Sequence, residues 1–229
     1  MDNSKIAVDE YYHLYNRGVG KQNIFLDERD YTRFLLLIIY FQSPVILTNL
    51  SHSVTTYIKS RTPHIRKKTV EAIIKQRMVG LNTFCLMPNH FHLLIQELEE
   101  GGITRFMQRV STAYANYFNT KYHRAGHVFE NSYRAVHIED NDQLLFVSAY
   151  IHKNPLDLRR NYTDYTQSSF TDYCKANRWG KLLDRSIILG QFDDMKEYAS
   201  WTNATTAKEL REEFEESLPE LLKYEESDT

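Results

Sequence analysis

Residues 90–96, HFHLLIQ, constrain the fold more than any other part of the chain. Successive side chains of a strand point to opposite faces, so Phe91, Leu93 and Ile95 form one face and His90 and His92 the other. The three apolar residues meet the needs of a half-buried strand, which leaves the imidazole face available for other work. Residues 81–87 read as a second strand, joined to the first at Pro88-Asn89, a turn-favouring pair. Two partly exposed histidines would satisfy this pattern. So would a pair of ligands for one divalent metal, since neutral imidazole is the commonest protein metal ligand; that reading requires a third ligand from elsewhere.

Around this hairpin the chain alternates between strand and helix. YYHLYNRG, residues 11–18, reads as an aromatic-rich first strand running into a glycine turn. In DERDYTRFLLLIIYF, Asp27 reads as an N-cap and Tyr31, Phe34, Leu35 and Ile38 recur at helical spacing. Residues 42–80 are polar and basic with a short helical stretch, a connector or insertion. Ile103, Phe106, Met107, Val110, Tyr114, Tyr117 and Phe118 mark a helix through Tyr122. Residues 126–138 read as a loop and strand, and residues 141–153 as a helix stopped by Pro155. Residues 161–200 are aromatic-rich and irregular, and KELREEFEESLPELLKY reads as an acidic amphipathic helix. The order strand, helix, strand, strand, helix, strand, helix predicts an α+β sandwich of ferredoxin-like type. Its antiparallel sheet would have helices on one face and the histidines on the open face. The division expected is a first domain over 1–160 and an extension over 161–229.

Charge gives the first indication of a partner. Residues 1–190 carry 24 Lys and Arg against 18 Asp and Glu, whereas residues 191–229 carry 4 against 12. A basic body with an acidic tail is a pattern of nucleic-acid contact by the body. Cys85 and Cys174 are the only cysteines, too few for a disulfide framework or a cysteine metal site. The longest apolar run, residues 34–41, falls short of the roughly 20 residues that span a bilayer. The polar, acidic first residues do not read as a secretory signal, so a cytoplasmic protein with no membrane partner is expected.

Tyr150 and Asn154 lie at i and i+4 of the helix before Pro155, one turn apart on one face. The amide oxygen of asparagine suits a hard cation such as Mg2+ or Mn2+, and tyrosine is a nucleophile capable of a covalent intermediate. A metal held by His90, His92 and Asn154 would stand one helical turn from Tyr150, the arrangement needed for tyrosine attack on a phosphodiester. In a chain with 16 tyrosines the position alone does not distinguish a nucleophile from a packed ring.

YNRG near the start, FCLMPNHFHLLI in the middle and LLFVSAYIHKNP after it, in that order, resemble the three marker segments of the single-tyrosine HUH transposases. The resemblance is to the REP-associated tyrosine transposase group, related to the small insertion-sequence transposases. It implies a ferredoxin-like fold and a metal-dependent single-strand DNA endonuclease and strand transferase acting near hairpin or palindromic sites. It matches His90 and His92 to the histidine pair, Tyr150 to the nucleophile and Asn154 to the additional polar ligand. The chain departs from the group at FENSYRA, where many members have a Gly-Arg pair in place of Asn131 and Ser132, and at LDLRR after the Asn-Pro.

Single-stranded or hairpin DNA is the expected partner of a monomer or homodimer. Arg17, Lys21, Arg105, Arg109, Arg124, Arg134 and Lys153 are the candidate phosphate contacts, with Arg159 and Arg160 behind them, and Tyr12, Tyr15 and Tyr133 are candidates for stacking on bases. Two other classes fit less of the sequence. One is a catalytically silent hairpin-binding protein. The other is a His-x-His zinc hydrolase or oxygenase, which requires a further ligand; Glu97 and Glu99 follow too closely on the same strand end to supply it.

Overall fold

The computed structural model describes residues 6–46 and 48–205, so the acidic helix expected over residues 208–224 lies outside the described residues. In chain order, β1 (Tyr11–Arg17) leads to α1 (Glu28–Tyr40), α2 (Leu50–Ser60) and α3 (Lys67–Lys75). The hairpin β2 (Val79–Met87) and β3 (His90–Glu97) follows, then α4 (Gly102–Tyr122), β4 (Arg134–His137) and α5 (Asn141–Lys153). Short helices α6 (Phe170–Cys174), α7 (Ser186–Leu189) and α8 (Met195–Ala204) complete the described chain. The sheet order is β2-β3-β1-β4 with every neighbouring pair antiparallel, the ferredoxin-like arrangement that the alternation predicts.

Local chemistry starts the elements where the sequence places them. Asp27 caps α1 by accepting from the backbone N–H groups of Arg29 and Asp30, while Asp30 accepts in return from Asp27, a reciprocal capping box. Asp140 caps α5 by accepting from the Gln143 N–H at 2.8 Å. The carboxylate of Glu97 accepts from the first amides of α4, Gly102 at 3.0 Å and Ile103 at 2.6 Å, and so anchors that helix to the end of β3.

Strand alternation sorts the sheet into two faces. One carries Leu14, Phe84, Leu86, Phe91, Leu93 and Ile95 and packs against Phe34 and Leu37 of α1 and Phe106 and Val110 of α4. The connector over 42–80 is more ordered than its polarity suggests. It folds into α2 and α3, which add Val54, Tyr57 and Ile73 to this core, and β2 starts within it at Val79.

The face expected to be open is roofed. Tyr15, Cys85, Met87 and Leu94 pack against Leu144, Val147 and Ile151 of α5 and against Tyr162, Tyr165, Phe170, Tyr173 and Tyr198 of the extension. The aromatic-rich segment can cover a sheet because its hydroxyls meet backbone acceptors: Tyr165 donates to the Leu86 carbonyl at 2.7 Å and Tyr173 to that of Asn82 at 3.0 Å. The same segment closes the outer edge of β2, where the Leu86 N–H donates to Gln167 and the Ser169 N–H to Phe84. Covering an edge strand removes a template for unwanted pairing.

Candidate active site

The site lies between β1, β3 and α5. Register places Arg17 opposite His90, Tyr15 opposite His92 and His13 opposite Leu94, so three histidines share the roofed face. His90 and His92 stand with ring centroids 4.9 Å apart and planes at 89°. Tyr150 reaches down from α5, its ring edge-on to His92 at 5.5 Å and to His13 at 5.9 Å. Among the candidates from sequence, His90, His92, Tyr150 and Asn154 are therefore brought together.

Hydrogen bonds set the orientation of each donor. Asn154, 3 % exposed, donates through Nδ2 to the Tyr150 carbonyl at 3.0 Å, which turns its Oδ1 toward Nε2 of His90 at 3.4 Å. Asn89 donates through its own Nδ2 to the Lys21 carbonyl, so its Oδ1 is the atom 2.6 Å from His90 Nδ1. An amide oxygen only accepts, so the neutral His90 ring carries its proton on Nδ1 and directs the Nε2 lone pair at Asn154 Oδ1. Two acceptor lone pairs facing each other suit a bridging cation.

His92 is 3 % exposed and its Nδ1 lies 3.0 Å from Nε2 of His13, itself fully buried. This bond occupies the Nδ1 side of His92 and leaves Nε2 as the ring nitrogen for a ligand. Burial, reinforced by His90 and His13, holds the His92 pKa well below the ordinary imidazole value, and burial alone lowers that of His13 to about 3. Both rings are neutral at physiological pH, the form that binds metal. The donor set of two imidazoles and one amide oxygen fits a divalent cation with coordination positions left for a phosphate. Among the described residues no group of three or more His, Cys, Asp or Glu side chains is placed to hold a metal. Glu97, on the opposite face, is committed to α4, which removes it as a ligand for a zinc hydrolase.

The basic candidates divide. Arg17 and Arg134 lie on the histidine face, Arg17 paired with Glu130 and Arg134 opposite Tyr15. Lys21 and Arg124 flank the turn after β1, where Arg124 donates to Gln22 at 3.2 Å. Arg105 and Arg109 belong to α4, under the other face: Arg105 pairs with Glu99, and Arg109 donates to the Ser43 carbonyl and stacks on Phe41. Lys153 ties the end of α5 to the Asn203 and Thr205 carbonyls. Of the stacking candidates, Tyr15 borders the site, Tyr12 is packed in the first core, and the Tyr133 hydroxyl meets that of Thr104 at 3.3 Å.

The residue that sequence reasoning missed is His13. It sits in YYHLYNRG with the right strand parity, but its partner is 79 positions away, and only the register of β1 on β3 joins them. His152, also buried, is not part of the site. It faces away from the sheet histidines, with Nδ1 2.7 Å from the Tyr198 hydroxyl and Nε2 2.8 Å from that of Ser169.

Residues 45–154 match the family model described as "Transposase IS200 like", a span that runs from the connector through β2, β3, α4 and β4 to Asn154. The matched residues make up just under half of the chain and include His90, His92, Tyr150 and Asn154. Among solved structures, the chain is similar to that of the REP-associated tyrosine transposase bound to a REP hairpin. That alignment has 12% identity and a TM-score of 0.47 and covers 75% of this chain and 83% of the other. No curated protein matches. Among the described residues, no helix is long and apolar enough to cross a membrane.

Proposed function

We propose that the chain is a divalent-metal-dependent nickase and strand transferase for single-stranded or hairpin DNA, with Tyr150 as nucleophile. The observation that carries this reading is the arrangement around one turn of α5. Asn154 Oδ1 and His90 Nε2 face each other as two acceptors, His92 stands beside them, and the Tyr150 ring lies against His92. His90, His92 and Asn154 would hold Mg2+ or Mn2+, which when bound polarises the scissile phosphate and offsets charge developing in the transition state.

The chain's own residues do the rest. The Tyr150 oxygen attacks phosphorus and gives up its proton, the bond from phosphorus to the 3′ oxygen breaks, and that oxygen leaves as a 3′-hydroxyl. The 5′ phosphate stays on Tyr150 as a phosphotyrosine diester. A second 3′-hydroxyl reverses the step on a new end, and no nucleotide energy source enters because the phosphodiester is conserved. Arg17 and Arg134, which share the histidine face, would contact the DNA backbone.

The test is incubation with short single-stranded hairpins and Mn2+. Wild type should form a covalent protein-DNA adduct, and Tyr150→Phe, which keeps the ring, should form none while binding hairpin as before. An adduct that persists in Tyr150→Phe, or that moves to Tyr133, contradicts the assignment.

A further inference from the structure

His13 is fully buried, is bonded through Nε2 to His92 Nδ1, and has an Nδ1 with no hydrogen-bond partner. A buried histidine kept only for packing would be expected to satisfy both nitrogens, as His152 does with Tyr198 and Ser169. The unpartnered nitrogen of His13 therefore calls for an explanation.

Either tautomer of the pair leaves that nitrogen unpartnered, so the choice between them rests on what His92 Nε2 must do. A neutral imidazole has one N–H and one lone pair, so the 3.0 Å contact has two possible proton arrangements. If His13 donates from Nε2, His92 accepts at Nδ1, carries its own proton on Nε2 and cannot bind a metal there. If His92 donates from Nδ1, His13 accepts at Nε2, and the His92 Nε2 lone pair is free to be a ligand. In this second arrangement the proton of His13 sits on the unpartnered Nδ1. His90 has a counterpart device, since Asn89 Oδ1 can only accept and fixes His90 in the same tautomer.

We propose that His13 is a positioning residue that accepts from His92 Nδ1 and so presents the His92 Nε2 lone pair to the metal, one imidazole orienting another. This rests on the metal-site reading above. His13 makes no bond to the metal in this scheme; its ring, stacked on His92 at 5.2 Å and edge-on to Tyr150, also fixes the ring plane of His92. Outer-shell partners of ligating histidines commonly contribute about 10–100-fold in metal affinity.

Two measurements on the full chain without DNA test it. The first is the histidine 15N spectrum of the metal-free protein, which reports the protonated nitrogen of each ring; wild type should show His92 protonated at Nδ1. His13→Phe, which fills the space without an acceptor, should lose that preference, and His13→Gln, which restores an acceptor oxygen, should recover it. The second is Mn2+ binding followed by the EPR signal of the free ion. His13→Phe should weaken binding about 10–100-fold and His13→Gln should recover most of the loss. Wild-type Mn2+ affinity and an unchanged His92 tautomer in folded His13→Phe would overturn the proposal. Mn2+ binding that is absent from wild type, or indifferent to His90→Ala and His92→Ala, would overturn the metal reading itself, whereas the metal-free 15N spectrum separately judges the hold of His13 on His92.

Discussion

The two faces of the sheet use the same alternation for opposite ends. Beneath α1 and α4 the strands present Leu14, Phe91, Leu93 and Ile95, all fully buried. Beneath α5 they present His13, Tyr15, His90 and His92, and the roof brings Tyr150 and Asn154. The first face gains its stability from apolar burial without direction. The second is buried almost as deeply, yet it holds its rings through directed bonds: Asn89 to His90, His13 to His92, and Asn154 to the Tyr150 carbonyl. The difference teaches that one face supplies the rigidity and the other uses it, because an imidazole pair can be held in one tautomer only on a sheet that does not shift.

If that division is right, truncation should separate the faces most strongly. Phe91→Ala removes a fully buried ring from the apolar face and should cost about 3–5 kcal/mol of stability. Tyr150→Phe should stay within about 1 kcal/mol of wild type in the same urea titration. Similar losses in both would mean that the histidine face is as much a structural core as the other.

Acid should separate them next. Burial lowers His13 and His152 to about 3 in the folded chain, against an ordinary value of 6.5. The unfolded chain thus binds more protons between these values, and the stability gained from keeping the rings neutral is lost as pH falls from about 6.5 toward 3. The slope should approach about 1.4 kcal/mol per pH unit for each ring. His152→Phe should flatten the slope by one proton, provided it folds. An unchanged slope in that variant would show that His152 is not buried neutral.

These contrasts also mark what the sequence could show. Alternation in HFHLLIQ assigned each residue to its face, the cap at Asp27 marked the start of α1 and Pro155 the stop of α5, because those signals lie within a few residues of what they control. α2 carries no such signal: Asn49, in the left-handed region at φ 62°, makes no side-chain cap bond, and the helix is held by Tyr57 stacking on Trp179. The roof over the histidines was illegible for the same reason. Tyr165 and Tyr173 read as an irregular aromatic stretch until their hydroxyls meet β2, roughly 80 to 90 positions earlier in the chain. Within the site, i, i+4 spacing put Tyr150 and Asn154 on one face and the resemblance singled them out, whereas His13 was missed, since its pairing depends on strand register.

The basic residues offer a finer contrast. Arg134 lies beside Tyr15 on the histidine face, where the proposed function has it meet a phosphate, whereas Arg109 donates to Ser43 and stacks on Phe41 under the other face. Arg134→Ala should lower the salt slope of hairpin binding by about 0.7–0.9, one phosphate contact. Arg109→Ala should leave the slope unchanged and lower thermal stability instead. The reverse result would put the DNA on the α4 side.

The central claim is that His90, His92 and Asn154 hold one catalytic divalent cation beneath Tyr150. Its most direct test is the rate of hairpin nicking against Mn2+ concentration for wild type, His90→Ala, His92→Ala and Asn154→Ala, with hairpin binding measured in parallel. Nicking should require added metal and vanish with a chelator. Each histidine variant should lose most of the rate and need far more Mn2+, Asn154→Ala should do so more mildly because both imidazoles remain, and all three should still bind hairpin. Unchanged metal dependence in both histidine variants would contradict the account and make the pair a structural feature of the strand.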